Sequence, residues 1–134
     1  ILQVEFNGSL IKKTVKLKAG ENKKIVLRSS EFKQLHINNP KLWWPHTIGD
    51  PNLYKVKVNF IANNKTYDSN EFEFGVRQVS DYFTKDGHRG FKINGEKISI
   101  RGGGWVDNMT LDDTHDYILS QLEYVKDMNL NTVR

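Results

Sequence analysis

The sequence predicts a mainly β chain: an immunoglobulin-like β-sandwich, then a hairpin, then one βαβ unit. Three observations carry this prediction. Period-two alternation dominates Ile1 to Tyr82, turn residues recur between the alternating runs, and after Tyr82 a hairpin signal, a glycine run and a helical stripe follow in that order. The clearest alternation sets Tyr54, Val56, Val58 and Phe60 on one face against Lys55, Lys57 and Asn59, the pattern of a half-buried antiparallel strand. Similar short runs are expected as strands at Leu2 to Phe6, Thr14 to Leu17, Lys24 to Leu27, Phe32 to Ile37 and Glu71 to Val79. Asn7-Gly8, Ala19-Gly20, Asn38-Asn39-Pro40, Gly49-Asp50-Pro51 and Asn63-Asn64 punctuate them. Several short strands spaced by turns over about 80 residues fit a sandwich held by packing alone, since the chain has no cysteine.

Beyond Tyr82, Phe91 to Ile93 and Lys97 to Ile100 flank Asn94-Gly95, a pair suited to positive φ at both turn positions and so to a two-residue hairpin. The second arm runs into Arg101-Gly102-Gly103-Gly104-Trp105, where glycines let another group approach the backbone closely. Thr110 is the expected N-cap of a helix, with Asp113 three residues on and Asp112 near the positive end of the helix dipole. Ile118, Leu122, Val125 and Met128 form one apolar stripe, and Asn129 can supply the left-handed residue that ends the helix. Asn131 to Arg134 is extended again, which completes strand, loop, helix and strand.

Composition bounds the function. A length of 134 residues holds one ordinary domain and a remainder but not two catalytic domains, and 37% apolar against 27% charged residues gives a core rather than disorder. No stretch approaches the roughly 18 uncharged apolar residues of a membrane span, so no membrane partner is expected. The lack of cysteine removes thiol nucleophiles, thiolate metal sites and disulfides while leaving the compartment open. The net charge of +4 is concentrated on Ile1 to Arg28, where Lys12, Lys16 and Lys18 share one solvent-facing parity. With no RNP, finger or helix-turn-helix pattern beside it, this reads as a solvated sheet face, and no nucleic-acid partner is expected. His36, His46, His88 and His115 show no ligand spacing and Gly102 to Gly104 no phosphate-loop spacing, so neither metal nor cofactor is expected. The chain opens on Ile1 and ends on Arg134, and it is expected to be a piece of a longer protein.

Two aromatic groups stand out as candidate sugar platforms. Trp43-Trp44-Pro45 is the most unusual local cluster, but a tryptophan in a β-sandwich more often packs than binds, and packing is its expected role. Trp105 differs, because it follows the glycine run at the carboxyl end of a strand, where α/β sheets place ligands.

Four segments, in order, resemble one family. Leu42-Trp43-Trp44-Pro45 with Gly49, Pro51, Leu53 and Tyr54 is similar to a segment of glycoside hydrolase family 2, in its β-mannosidase and exo-β-D-glucosaminidase branch. Phe74-Gly75-Val76-Arg77 resembles a strand near the end of that family's central immunoglobulin-like domain. Phe91 to Lys97 with Ile100 to Trp105 resembles the lead-in to its (β/α)₈ barrel, and Met128 to Arg134 the approach to the second barrel strand. The resemblance implies an immunoglobulin-like domain over residues 1–82 and the N-terminal fragment of a TIM-barrel glycosidase domain over residues 83–134. It implies a parent that hydrolyses terminal β-linked hexosides or amino-hexosides with retention, with both catalytic glutamates beyond this chain. The fragment alone should then be inactive, with no catalytic residue of its own. Substrate contact falls to Arg101, Trp105, Asp107 and Asn108, and the partners are a carbohydrate, through the full-length enzyme, and the rest of the parent polypeptide. A periplasmic or extracellular setting is expected. Arg101-Gly102-Gly103-Gly104-Trp105 favours the exo-β-D-glucosaminidase side over the β-mannosidases, while Val106-Asp107-Asn108 departs from the family pattern. A free-standing carbohydrate-binding module using Trp43, Trp44 and Trp105 is the alternative from another class.

Overall fold

The computed structural model describes residues 1–110 and 112–134. It is mainly β with antiparallel sheets, consistent with a β-sandwich, and it divides into two units. The first comprises Ile1–Lys41 and Leu53–Val76, the second Leu42–Asn52 and Arg77–Arg134.

In the first unit, β1 (Leu2–Phe6), β2 (Ser9–Lys13), β3 (Tyr54–Ala62) and β4 (Lys65–Phe74) form one antiparallel sheet in the order β2-β1-β3-β4. Asn7 and Gly8 take φ of 47° and 71°, and Asn63 and Asn64 take 47° and 59°. Two consecutive positive φ values match the right-handed twist of the flanking strands, so each turn forces immediate pairing, Phe6 with Ser9 and Ala62 with Lys65. This corrects the strand expected at Thr14 to Leu17: the tight turn places the second strand at Ser9–Lys13 and leaves Thr14 onward without a ladder. The strand expected at Glu71 to Val79 is corrected likewise. It begins at Lys65 and stops at Phe74; over Lys65 to Asn70 Tyr67 is the one apolar residue, so no alternation announced the first half of the strand.

Val4, Phe6, Ile11 and Val56 are buried, and Leu2, Leu27, Phe32, Leu35, Ile37, Tyr54 and Val58 pack against them. The runs at Lys24 to Leu27 and Phe32 to Ile37 therefore supply core residues, but not as the strands expected. The first has no ladder and the second contains a short 3₁₀ turn, Lys33–Leu35. Apolar residues two apart can face a core from irregular backbone, and the sequence pattern does not separate the two cases. Phe6, Tyr54 and Phe74 close one end with ring centroids 5.8 to 6.2 Å apart. The Tyr54 hydroxyl accepts a hydrogen bond from the Lys41 N–H at 2.8 Å, which fixes where the chain leaves this unit.

In the second unit, β5 (Val79–Phe83), β6 (Arg89–Ile93) and β7 (Glu96–Ile98) form an antiparallel meander. Its β6–β7 turn is the expected hairpin, with Asn94 and Gly95 at φ of 51° and 86°. Asn94 also does what the turn signal could not foretell: its Nδ2 donates to the Trp43 carbonyl at 2.9 Å and its Oδ1 accepts from the Gln78 N–H at 2.9 Å. The Arg77 guanidinium lies 4.4 Å from the centroid of the Trp43 ring. Trp44 is half-buried, and its ring occupies the space where a Cβ on Gly49 would stand. The 42–52 segment is closed at its neck by the Trp43–Pro51 bridge, by Trp44 N–H to the Asp50 carbonyl at 3.0 Å and by Asn52 Nδ2 to the Leu42 carbonyl at 3.0 Å.

The remainder is a βαβ unit in which β8 (Gly102–Gly103) pairs in parallel with β9 (Thr132–Val133) across α1 (His115–Asp127). The helix start is a correction. Thr114, not Thr110, is the N-cap, its hydroxyl accepting from the Tyr117 N–H at 3.3 Å. Thr110 instead donates through both its N–H and its hydroxyl to Asn108 Oδ1, a local turn that competes with capping. The helix ends where expected: Asn129 takes φ of 55°, its N–H reaches the Lys126 carbonyl and the Leu130 N–H reaches the Val125 carbonyl, the two bonds of a Schellman motif. Ile118, Leu122 and Met128 of the apolar stripe are exposed.

Two outcomes follow. Ile11, 2% exposed, is the most deeply buried core side chain, so Ile11→Ala should lower the unfolding free energy by about 2 to 5 kcal/mol in urea titrations. Asn94→Ala leaves the Trp43 carbonyl and the Gln78 N–H without their partner and puts alanine at positive φ; it should cost about 1 to 3 kcal/mol. Asn94→Gly should lose less, because it keeps the φ.

Candidate functional site

The candidate site is the loop that leaves β8. Gly102 stands against β9 so closely that a Cβ there would collide with the Thr132 carbonyl, whereas Gly103 and Gly104 face open space. Close approach thus explains one glycine of the three, and the group that approaches is the protein's own backbone. The β8–β9 register continues past the strands: the Arg134 N–H donates to the Gly103 carbonyl at 3.0 Å and the Trp105 N–H to the Arg134 carbonyl at 2.6 Å. This ladder holds Trp105 at the carboxyl end of the strand, the end at which α/β sheets bind ligands.

Trp105 is half-buried and lines a cavity of about 280 Å³ together with Gly103, Gly104, Tyr117, Gln121 and Tyr124. Val106, Met128 and Val133 also line it, so the lining is mostly apolar, with the Tyr117 and Tyr124 hydroxyls and the Gln121 amide as its polar side-chain groups. Val125 and Leu130, whose backbones close the Schellman motif, form part of its floor.

The four residues expected to contact substrate are not gathered in that cavity. Of them only Trp105 lines it. Asp107 is exposed. Asn108 is half-buried and engaged locally: its N–H donates to Asp113 Oδ1 at 3.3 Å and its Oδ1 accepts from Thr110. Arg101 lies at the opposite end of β8 from Trp105. Its N–H donates to Asn131 Oδ1 at 2.9 Å, its carbonyl accepts from the Asn131 and Thr132 N–H groups, and its guanidinium donates to the Thr47 hydroxyl at 2.9 Å.

Sequence reasoning missed Thr47, His46 and Asn131. Asn131 Nδ2 donates to the Ser99 carbonyl at 2.9 Å, so one side-chain amide joins the strand leading into β8 to the strand after α1. His46 meets the Lys126 carbonyl at 3.0 Å, which requires its Nε2 to carry the hydrogen. Thr47 takes φ of 76°. Ile48 N–H reaches the Pro45 carbonyl at 3.2 Å, so Thr47 is the third residue of a turn that needs positive φ there, ordinarily supplied by glycine or asparagine. A β-branched residue in that region costs on the order of 1 to 3 kcal/mol. The only sequence signal was Pro45 three residues before Ile48; nothing in the local pattern linked Thr47 to Arg101, 54 residues away.

The first unit holds a second, wider depression of about 990 Å³ on the polar face of its sheet, bordered by Gln3, Glu5, Lys57 and Glu71. Glu71 Oε1 lies 2.7 Å from Lys55 Nζ. The hydrogen bond and then the charge of Lys55 lower the Glu71 carboxyl below its ordinary value, and Glu71 raises Lys55 in the same way. Both side chains are exposed, and the pair reads as a solvated cross-strand contact.

With this geometry in hand, likeness to known proteins becomes informative. The exo-β-D-glucosaminidase of Hypocrea virens is 36% identical over 96% of this chain and 14% of its own length. A mannosylglycoprotein endo-β-mannosidase of Lilium longiflorum is 34% identical over 75% of this chain and 11% of its own length. The crystal structure of the exo-chitosanase CsxA of Amycolatopsis orientalis superposes with a TM-score of 0.83 at 29% identity, covering 99% of this chain and 15% of that one. The chain therefore spans about one seventh of the length of such relatives. The model of the glycosyl hydrolases family 2 matches residues 2–77, more than half of the sequence, and the chain belongs to that family.

Proposed function

We propose that this chain is a non-catalytic segment of a family 2 glycoside hydrolase whose full-length form removes terminal β-linked amino-hexosides, as an exo-β-D-glucosaminidase does. The observation that carries the reading is likeness along nearly the whole chain to an exo-β-D-glucosaminidase, against likeness over three quarters of it to a β-mannosidase. In this reading residues 1–82 are the immunoglobulin-like domain and residues 83–134 begin the catalytic (β/α)₈ barrel. The parallel β8–β9 pair joined through α1 supports the second assignment, because such a unit buries its helix stripe only when further strands and helices extend it.

Retention needs two carboxyl groups about 5 to 5.5 Å apart across the scissile bond. Of the acids after β8, Asp113 accepts from Asn108 and Asp116 sits in the first helical turn. In the proposed scheme the acid and the nucleophile come from later parts of the parent. This chain contributes Trp105 as a wall for the sugar face, Asp107 and Asn108 as hydroxyl partners, and Arg101 at the base of the loop.

The chain alone should hydrolyse neither aryl β-glucosaminide nor aryl β-mannoside, and turnover that co-purified with it through several columns would refute the assignment. In the full-length enzyme, Trp105→Ala and Asp107→Ala should each lower kcat/KM on aryl β-glucosaminide by about tenfold or more, equivalent to about 1.4 kcal/mol of transition-state stabilisation. A parent faster on aryl β-mannoside would move the substrate to the mannosidase side. An inactive parent whose isolated segment binds oligosaccharides would favour a carbohydrate-binding module.

A further inference from the structure

We infer that Asn7 is a site of spontaneous deamidation, and that Asn94, the same residue in the same kind of turn, is protected from it by its hold on Trp43 and Gln78. Conversion at position 7 strikes the turn that pairs Phe6 with Ser9, and so acts on the core of the first unit.

Three observations lead to it. First, the sequence holds two Asn-Gly pairs, Asn7-Gly8 and Asn94-Gly95. The reaction belongs to that pair: the backbone nitrogen after the asparagine attacks the side-chain amide, and a glycine there has no side chain to obstruct the approach. Second, the two backbones do not distinguish the sites. Asn7 and Gly8 take φ of 47° and 71°, Asn94 and Gly95 take 51° and 86°, and a Cβ on either glycine would meet nothing within 4 Å. Third, the side chains differ. Asn7 is exposed, and its amide is in no hydrogen bond among the described residues. Asn94 is half-buried and engaged at both ends of its amide: Nδ2 donates to the Trp43 carbonyl and Oδ1 accepts from the Gln78 N–H, each at 2.9 Å. Its own backbone N–H donates to the Gln78 carbonyl at 2.8 Å.

The Gly8 nitrogen, as it gives its proton to solvent, forms a bond to Asn7 Cγ; the Cγ–Nδ2 bond breaks, ammonia leaves and a cyclic imide closes. Water, the one co-reactant, then opens either imide carbonyl and leaves aspartate or isoaspartate at position 7. Ring closure needs Cγ to turn onto the glycine nitrogen. A free side chain rotates there as the turn opens locally, whereas the Asn94 amide must first release both of its partners. Isoaspartate carries the main chain through the side chain, and so lengthens a turn that fits its strands at two residues. Phe6, 5% exposed and stacked on Phe74, is the core residue next to that change.

The test is peptide mapping of the full-length protein after storage at mildly alkaline pH, both folded and in urea. Cleavage after lysine puts Asn94 in the peptide Ile93 to Lys97 and Asn7 in one that ends at Lys12, so the two sites are scored separately, by the mass gain of deamidation and by isoaspartate detection. In the folded protein Asn7 should convert about tenfold or more faster than Asn94, the size set by two hydrogen bonds that must open together. In urea the two rates should converge, because glycine follows both and the hold on Asn94 is gone. Asn7→Gly keeps the positive φ but has no side-chain amide, so its melting temperature should fall less on storage than that of the wild type. Equal rates in the folded protein, or an Asn7 that stays intact, overturn the inference. So does a gap that persists unchanged in urea, since it would owe nothing to the fold. Equal loss of melting temperature in Asn7→Gly and the wild type overturns the damage assigned to the core of the first unit.

Discussion

The place of the 42–52 segment in the second unit depends on how Trp43 is held. Its ring lies under the Arg77 guanidinium, its carbonyl takes the Asn94 amide, and it bridges to Pro51 across the neck of the excursion. The indole face is the strongest aromatic site for a cation, worth about 0.5 to 2 kcal/mol according to how far the pair is desolvated. The carbonyl bond adds a directional restraint that the ring contact lacks. Together they hold residues 42–52 to the rest of the second unit.

This arrangement gives physical content to motifs that are otherwise only strings. Tryptophan at 43 and proline at 51 close the neck, glycine at 49 leaves room for the Trp44 ring, and tyrosine at 54 fixes the exit of the chain through the Lys41 amide. Phenylalanine at 74 completes the aromatic trio of the first unit, and arginine at 77 covers Trp43. Asparagine at 94 is both a turn residue and the donor to Trp43, so the hairpin signal and the tertiary restraint reside in one side chain.

Much of this was legible in the sequence, and what was not has identifiable causes. Local signals worked where one residue type has few alternatives: Asn7-Gly8, Asn63-Asn64 and Asn94-Gly95 turned where expected, and Asn129 ended the helix in a left-handed conformation. They failed where partners were distant or competing. Thr110 and Thr114 are both sound caps by composition, and the hydrogen bonds from Thr110 to Asn108 decided between them. Leu27, Phe32 and Ile37 looked like strand residues because they reach the core, but reaching a core does not require a ladder. At the candidate site, the place of Trp105 at a strand end was readable from the glycine run, whereas the fixing of Arg101 by Thr47 and Asn131 was not, since neither lies near it in sequence.

The excursion also orders events in time. His46 and Lys126 are 80 residues apart, so at translation rates of about 5 to 20 residues per second the segment waits roughly 4 to 16 s on the nascent chain before its helix partner has been made. During that interval the first unit can already close its sheet through Ile1–Lys41 and Leu53–Val76, leaving 42–52 as a formed loop with unspent contacts. The segment is thus made before Arg77, Asn94 and Lys126, the residues that hold it.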